Sequence, residues 1–154
     1  KLTAGIGDFT EGPGPVPREF EEASIGTRIC FESIFPEIAR GHVRAGATLL
    51  ATITNDAWFG RTSAPYQHFQ MSVFRAVENR SFLVRAANTG VSGVIDPVGR
   101  VRKTTSLFER VLIVDEVGLR QGPLTFYGVY GDFFAWGCVL ATGVFMVLRK
   151  RRVS

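Results

Sequence analysis

Cys30 is the residue in this chain best equipped for chemistry. It stands in RICFESIFPE (28–37), where a short apolar run meets a proline that can open a helix. A thiol at a strand-to-helix turn can present its sulfur to a substrate carbonyl, and the N–H groups that follow can receive the resulting oxyanion. Glu32 and Glu37 lie close by in sequence. A carboxylate can act as a base or orient another group, but alone it disfavours the thiolate. Activation of Cys30 therefore calls for a cation or base from elsewhere. A plain buried strand cysteine is the competing reading.

Other constellations are less specific. NDAWFG (55–60) places Asn55 and Asp56 where they can bond into a site, and Trp58 and Phe59 where they can line a pocket or touch lipid. Its plainer reading is an Asx turn with two packed aromatics. Arg75 and Glu78 stand three apart on a helix, as a surface ion pair does. NTGVSG (88–93) is a polar loop. His42 and His68 lack metal-ligand spacing and read as ordinary helix residues. There is no Walker loop and no GxGxxG, so neither a cofactor nor a metal is called for.

The elements that must position these residues alternate. Residues 25–31 predict a buried strand and 36–45 a helix with Pro36 in its first turn. Residues 47–54, ATLLATIT, predict a strand buried on both faces. Residues 65–80 predict a helix with Tyr66, Phe69, Val73, Phe74 and Val77 on its apolar face. Strands are expected at 82–87, on both sides of a turn at Asp96–Gly99, and at 110–117. Such alternation implies an α/β sheet with helices on its faces. Cys30 then lies at the carboxyl edge of the strands, where ligand sites of open α/β sheets cluster.

Composition narrows the class. Of 154 residues, 45% are hydrophobic and 21% charged, with 13 Phe and 2 Trp, which is ample for a core and excludes a disordered tail. Two cysteines, Cys30 and Cys138, exclude a disulfide scaffold. Lys and Arg number 18 against 14 Asp and Glu, but four of the 18 are Arg149–Arg152 at the end; the rest balance at 14 against 14. The basicity is a tail and not a groove, so no nucleic-acid partner is expected.

The tail follows sixteen uncharged residues, 133–148, and the run back to Leu124 is broken only by Asp132. Sixteen helical residues reach ~24 Å, and the 25-residue run spans a ~30 Å hydrocarbon core with some tilt. The RKRR cluster is what holds a helix end in the cytoplasm, and Tyr127, Tyr130 and Trp136 suit the opposite interface. This divides the chain into a domain at 1–122, a membrane helix at 123–148 and a basic cytoplasmic tail at 149–154. The domain then faces the periplasm, where Cys30 is an unpaired thiol. The N-terminal stretch has no apolar leader and passes through GPGPVP (12–17), a turn-rich connector. It reads as the start of the C-terminal portion of something longer.

RICFESIFPE, NDAWFG, PYQHFQMSVFRAVENRSFLVRAANTGVSGVIDPVGR, LFE and TFYGVYGDFFAW, in that order from about Asp8 onward, resemble the bacterial apolipoprotein N-acyltransferase family of the nitrilase (carbon–nitrogen hydrolase) superfamily. The resemblance implies part of a nitrilase-like αββα sandwich on the periplasmic side of the inner membrane, followed by one transmembrane helix. It implies transfer of an acyl chain from a phospholipid to the N-terminal amine of a diacylglyceryl-modified apolipoprotein, through a cysteine thioester and a Glu–Lys–Cys triad. It makes Cys30 the nucleophile and Glu32 a supporting carboxylate, with Phe31, Asn55, Trp58 and Phe59 toward substrate. Phe31 stands where the family usually has Tyr. The triad Glu and Lys belong to segments upstream, and Lys1, followed by LTAGIGDF, does not match the family's lysine motif. The chain by itself is then expected to be inactive. Two other readings stay open: a superfamily amidase acting on soluble amides, against which the anchor argues, and a non-catalytic membrane-tethered remnant.

Overall fold

The computed structural model describes residue 12 and residues 14–153; Lys1, Asp8 and Pro13 of the connector lie outside them. Six strands form one mixed sheet in chain order: β1 (Arg18–Phe20), β2 (Ala23–Ile29), β3 (Leu49–Asn55), β4 (Leu83–Asn88), β5 (Gly93–Ile95) and β6 (Val101–Thr104). The central pairs β2–β3 and β3–β4 are parallel, and the outer pairs antiparallel. Helix α1 (Pro36–Arg44) crosses from β2 to β3 and α2 (Ala64–Asn79) from β3 to β4. Right-handed crossovers between successive neighbours put both helices on one face. Gly26 marks the closest approach, since a Cβ there would lie 2.7 Å from His42 Cβ of α1.

Register turns the helix-covered face into rows. Gly26, Leu50 and Leu83 align across β2, β3 and β4, and two residues on, Arg28, Thr52 and Arg85 align. The first row joins Ala39, Val43, Phe69, Ala76, Val91 and Ile95 in the hydrophobic core. The second is polar and fully buried. On the opposite face, Ile29 and Ile53 are 63% and 57% exposed. So β3 is buried on one face and not on both. The described residues make up one helix-covered sheet, as half of a nitrilase-like sandwich would.

Helix α2 buries a different stripe from the one its apolar spacing suggests. Tyr66, Phe74 and Val77 are exposed, whereas Pro65, His68, Phe69, Ser72, Arg75, Ala76 and Asn79 are buried. The sheet row beneath is built of arginines and threonine, so polar partners on the helix bury more favourably there than an apolar strip would. The Asp96–Gly99 turn forms as expected: Asp96 Oδ1 accepts from the Val98 and Arg100 N–H groups, and Gly99 takes φ 84°.

Residues 110–117 form no strand among the described residues. They run as an extended arm tied by side chains. Arg102 donates to Asp115 and to the Glu116 carbonyl, and Lys103 donates to the Val114 carbonyl. An apolar alternation signals an extended chain, but a strand also needs a partner ladder. A cleft of about 440 Å³ separates this arm from Ala51, Ile53, Val84 and Val94 on the open sheet face.

The apolar run after Leu124 is two helices and not one. Helix α3 (Phe126–Tyr130) ends at Gly131, φ 62°, and α4 (Phe133–Val153) follows. Thr125 caps α3 by accepting from the Gly128 N–H, and its hydroxyl donates to the Glu78 carbonyl at 2.6 Å, fixing α3 to the end of α2. Phe133–Lys150 has mean hydropathy 1.4 and packs against nothing in the described structure. It is long and apolar enough to cross a membrane.

Candidate active site

Strand β2 ends at Ile29, and Cys30 opens a 3-10 turn, Cys30–Ile34. Cys30 sits at φ 51°, in the left-handed region. A non-glycine residue there costs roughly 1–3 kcal/mol and persists only where its surroundings over-determine it. Several contacts do so. Glu32 Oε2 accepts from the Ile29 N–H at 2.7 Å, holding the strand end. Arg75 donates to the Ile34 carbonyl at 2.8 Å, holding the far end of the turn. Cys30 itself is partly exposed and Phe31 more so. The first N–H groups of a helical turn have no partner within it, so they are available beside the sulfur. An open groove of about 750 Å³ runs past Glu32, lined by Val16, Arg18, Thr27, Ile29 and Ile38.

Beneath the turn lies a buried polar chain. His68 Nε2 is 2.7 Å from Ser33 Oγ and 3.2 Å from the Cys30 carbonyl oxygen. His68 Nδ1 is 3.0 Å from Asp56 Oδ1. Asp56 also accepts from Thr54 Oγ1 at 2.9 Å and from Arg85 Nη2 at 2.9 Å. Arg85 further donates to Ser72 Oγ and to the Val91 carbonyl. Asp56, His68 and Arg85 are all buried. Burial alone would raise the Asp56 pKa, but the His68 hydrogen bond, the Arg85 charge and the Thr54 hydroxyl outweigh it and hold the carboxyl below its usual range. Burial lowers Arg85, while Asp56 and then Cys30 oppose that shift.

Arg28, in the row beside Arg85, is fully buried and gives one hydrogen bond, Nη2 to Thr52 Oγ1 at 3.0 Å. Its Nε and Nη1 have no partner among the described residues. Burial first, then repulsion from Arg75 and Arg85, brings the guanidinium down to about 9. Three arginines, Arg28, Arg75 and Arg85, thus lie in the layer behind the cysteine, against two carboxylates, Asp56 and Glu78.

The residues singled out from sequence are not equally close to this centre. Phe31 and Phe59 flank the His68 ring, with centroids 6.5 Å and 5.9 Å away. Asn55 accepts from the Ala57 N–H, the Asx turn of the plainer reading, and meets the Asn88 amide at 3.4 Å. Trp58 is 82% exposed. Two expectations are corrected. His68 is no ordinary helix residue, because it joins Asp56 to the Cys30 turn. Arg75 and Glu78 are no surface pair: their side chains are 7% and 22% exposed at 2.6 Å, because the Arg75 guanidinium also reaches under the turn. A signal for both existed in the spacing of His68, Ser72, Arg75 and Asn79, a polar stripe along a helix that must lie on a sheet. Among the described residues no His, Cys, Asp and Glu group could hold a metal.

The sheet and the helices that cover it have counterparts in known proteins. The carbon–nitrogen hydrolase family model matches residues 9–120. The chain belongs to the carbon–nitrogen hydrolase family. Over 154 residues, all of this chain, it is 54% identical to the apolipoprotein N-acyltransferase of Geobacter metallireducens. It is 39% identical over 132 residues, 86% of the chain, to that of Thermotoga maritima. It spans 29% and 26% of those two relatives. Solved carbon–nitrogen hydrolases share the fold. One from Helicobacter pylori superposes with TM-score 0.56 at 19% identity, covering 64% of this chain and 42% of that one. An amidase from Nesterenkonia sp. AN1, solved with acrylamide added at its active-site cysteine, gives TM-score 0.52 at 23% identity, covering 64% and 41%.

Proposed function

We propose that this chain is the nucleophile-bearing portion of an apolipoprotein N-acyltransferase, with residues 1–122 in the catalytic domain, 123–148 in a membrane helix and 149–154 in a cytoplasmic tail. The observation that carries this reading is the Cys30 turn, held at positive φ and open to solvent, in a chain 54% identical throughout to an enzyme of that name. The long unpacked apolar helix beside the domain supports a lipid substrate. The basic cluster at its end supports a periplasmic catalytic face.

The chemistry runs in two halves. The Cys30 thiolate attacks the ester carbonyl of a phospholipid, and the N–H groups of the turn receive the oxyanion. The C–O bond breaks, the lysophospholipid leaves as an alcohol with the proton that the triad Glu took from the thiol, and a thioester remains on Cys30. The N-terminal amine of a diacylglyceryl-modified apolipoprotein then attacks the thioester. An amide forms, the amine gives its proton to the triad Glu, and the thiolate is restored. The triad Glu and Lys come from other segments of the whole protein. Glu32 keeps the strand end in register for the turn, and Phe31, Asn55, Trp58 and Phe59 face the substrates. Trp58 and Phe59 lie toward the membrane, which concentrates two lipid-anchored substrates at one site.

The test is Cys30→Ala in the full-length protein, incubated with phospholipid vesicles and analysed by intact mass spectrometry. Wild type acquires one acyl group labile to hydroxylamine, and the variant acquires none. An acyl adduct that survives in the variant overturns the assignment.

A further inference from the structure

We propose that His68, anchored by Asp56 and Arg85, is the positioning residue that sets the angle at which Cys30 presents its sulfur. This rests on the reading of Cys30 as nucleophile and adds a residue to it. Side chains hold the backbone before and after Cys30. On the strand side, Glu32 takes the Ile29 N–H; on the turn side, His68 Nε2 faces the Cys30 carbonyl and the Ser33 hydroxyl. A residue at positive φ relaxes once its carbonyl is free to rotate. The carbonyl contact is therefore what keeps the Cα–Cβ bond of Cys30 aimed at the sheet edge.

The ring cannot drift, because Asp56 fixes its other nitrogen and Arg85 and Thr54 fix Asp56. Nδ1 lies between Asp56 Oδ1 at 3.0 Å and Arg85 Nη2 at 3.1 Å, and Nε2 faces the Ser33 hydroxyl and the Cys30 carbonyl, an acceptor that calls for a donor opposite it. Phe31 and Phe59 flank the ring, which is buried. The chain from Arg85 on β4, through Asp56 after β3 and His68 on α2, to Cys30 after β2 thus ties three strands and a helix to one carbonyl. His68 does not touch the sulfur in this arrangement; it acts through the main chain.

Two variants of the full-length protein separate this role from support of the fold. His68→Ala loses both contacts. His68→Gln loses Asp56 but extends an amide N–H toward the Cys30 carbonyl. Both should melt lower by similar amounts. Acrylamide addition at Cys30, resolved by peptide mass spectrometry, and thioester formation from phosphatidylethanolamine–phosphatidylglycerol vesicles should each fall by tenfold or more in His68→Ala, since small misplacements of a reacting atom cost about that much or more. In His68→Gln both rates should stay within about threefold of wild type, because the aim survives. A tenfold loss in His68→Gln, or a wild-type rate in His68→Ala, overturns the proposal. Should wild type accept acrylamide but no acyl group, the acyltransferase reading fails, and the alkylation rates still decide the role of His68.

Discussion

Gly90 and Asp56 occupy one another's space: a Cβ on residue 90 would lie 2.3 Å from Asp56 Oδ2 and 2.7 Å from its Cβ. The loop between β4 and β5 therefore acts as a stop behind the carboxylate, on the side opposite His68. Gly90→Ala should destabilise the protein by about 1–3 kcal/mol, as overpacking of a tight site does. It should also slow acrylamide addition at Cys30, because Asp56 can move only toward the ring. Thermal melts and alkylation rates of the full-length variant check both; unchanged values for the pair would show that the loop yields freely.

Asp56 should make stability depend on acid. Its folded pKa is depressed below the usual carboxylate value, so its contribution is complete above that value and is lost as pH falls through the folded pKa. The melting temperature of wild type should hold from neutrality to about pH 4.5 as far as this group is concerned, and fall at lower pH. Asp56→Asn should be less stable at pH 7 by about 3–5 kcal/mol, since it strands the Arg85 guanidinium in a dry site. Its further loss below pH 4 should be smaller than that of wild type. Parallel curves for the two proteins would contradict the assignment.

Arg28 behaves in the opposite sense. A buried guanidinium with two unpartnered nitrogens, brought down to about 9, costs stability at every pH where it is charged in both states, neutrality included. Arg28→Met keeps most of the stem and removes the charge. It should leave the melting temperature unchanged or raise it, by up to roughly 1–4 kcal/mol in equivalent terms. A clear drop in melting temperature would mean that Arg28 has a partner in the whole protein.

Trp58 is almost wholly exposed, so its truncation should cost the fold within about 0.5 kcal/mol. If it faces the membrane, Trp58→Ala should raise KM several-fold for a long-chain phospholipid donor and leave a short-chain soluble thioester donor unaffected. Equal effects on the two donors would remove lipid contact as its role.

The arm at 110–117 depends on Asp115, which Arg102 and Lys103 approach at 3.2 Å and 3.6 Å. The cations are 40% and 48% exposed although Asp115 is 8% exposed, and pairs with one such open partner contribute about 1 kcal/mol or less. Asp115→Ala should therefore speed hydrogen exchange in residues 110–117 while global melting shifts little. Unchanged protection of those amides would show that the sheet face, and not the ion pair, holds the arm.

Local chemistry in the chain was enough to determine much of this protein. Pro36, the β-branched run at 47–54 and the Asp96–Gly99 turn fix backbone angles within a few residues, and the elements they announce are present. Cys30 at a strand end was equally legible, because the motif around it is contiguous. Tertiary structure decided the rest. Which stripe of α2 is buried depended on the row beneath it, and that row exists only when Arg28, Thr52 and Arg85 come into register from three strands. His68 is 38 residues from Cys30, and no spacing rule links them until α2 lies across the sheet. Residues 110–117 carried a strand's alternation without a strand's partner. Alternation and propensity are properties of one segment, whereas hydrogen-bond partners and burial belong to pairs that only folding brings together.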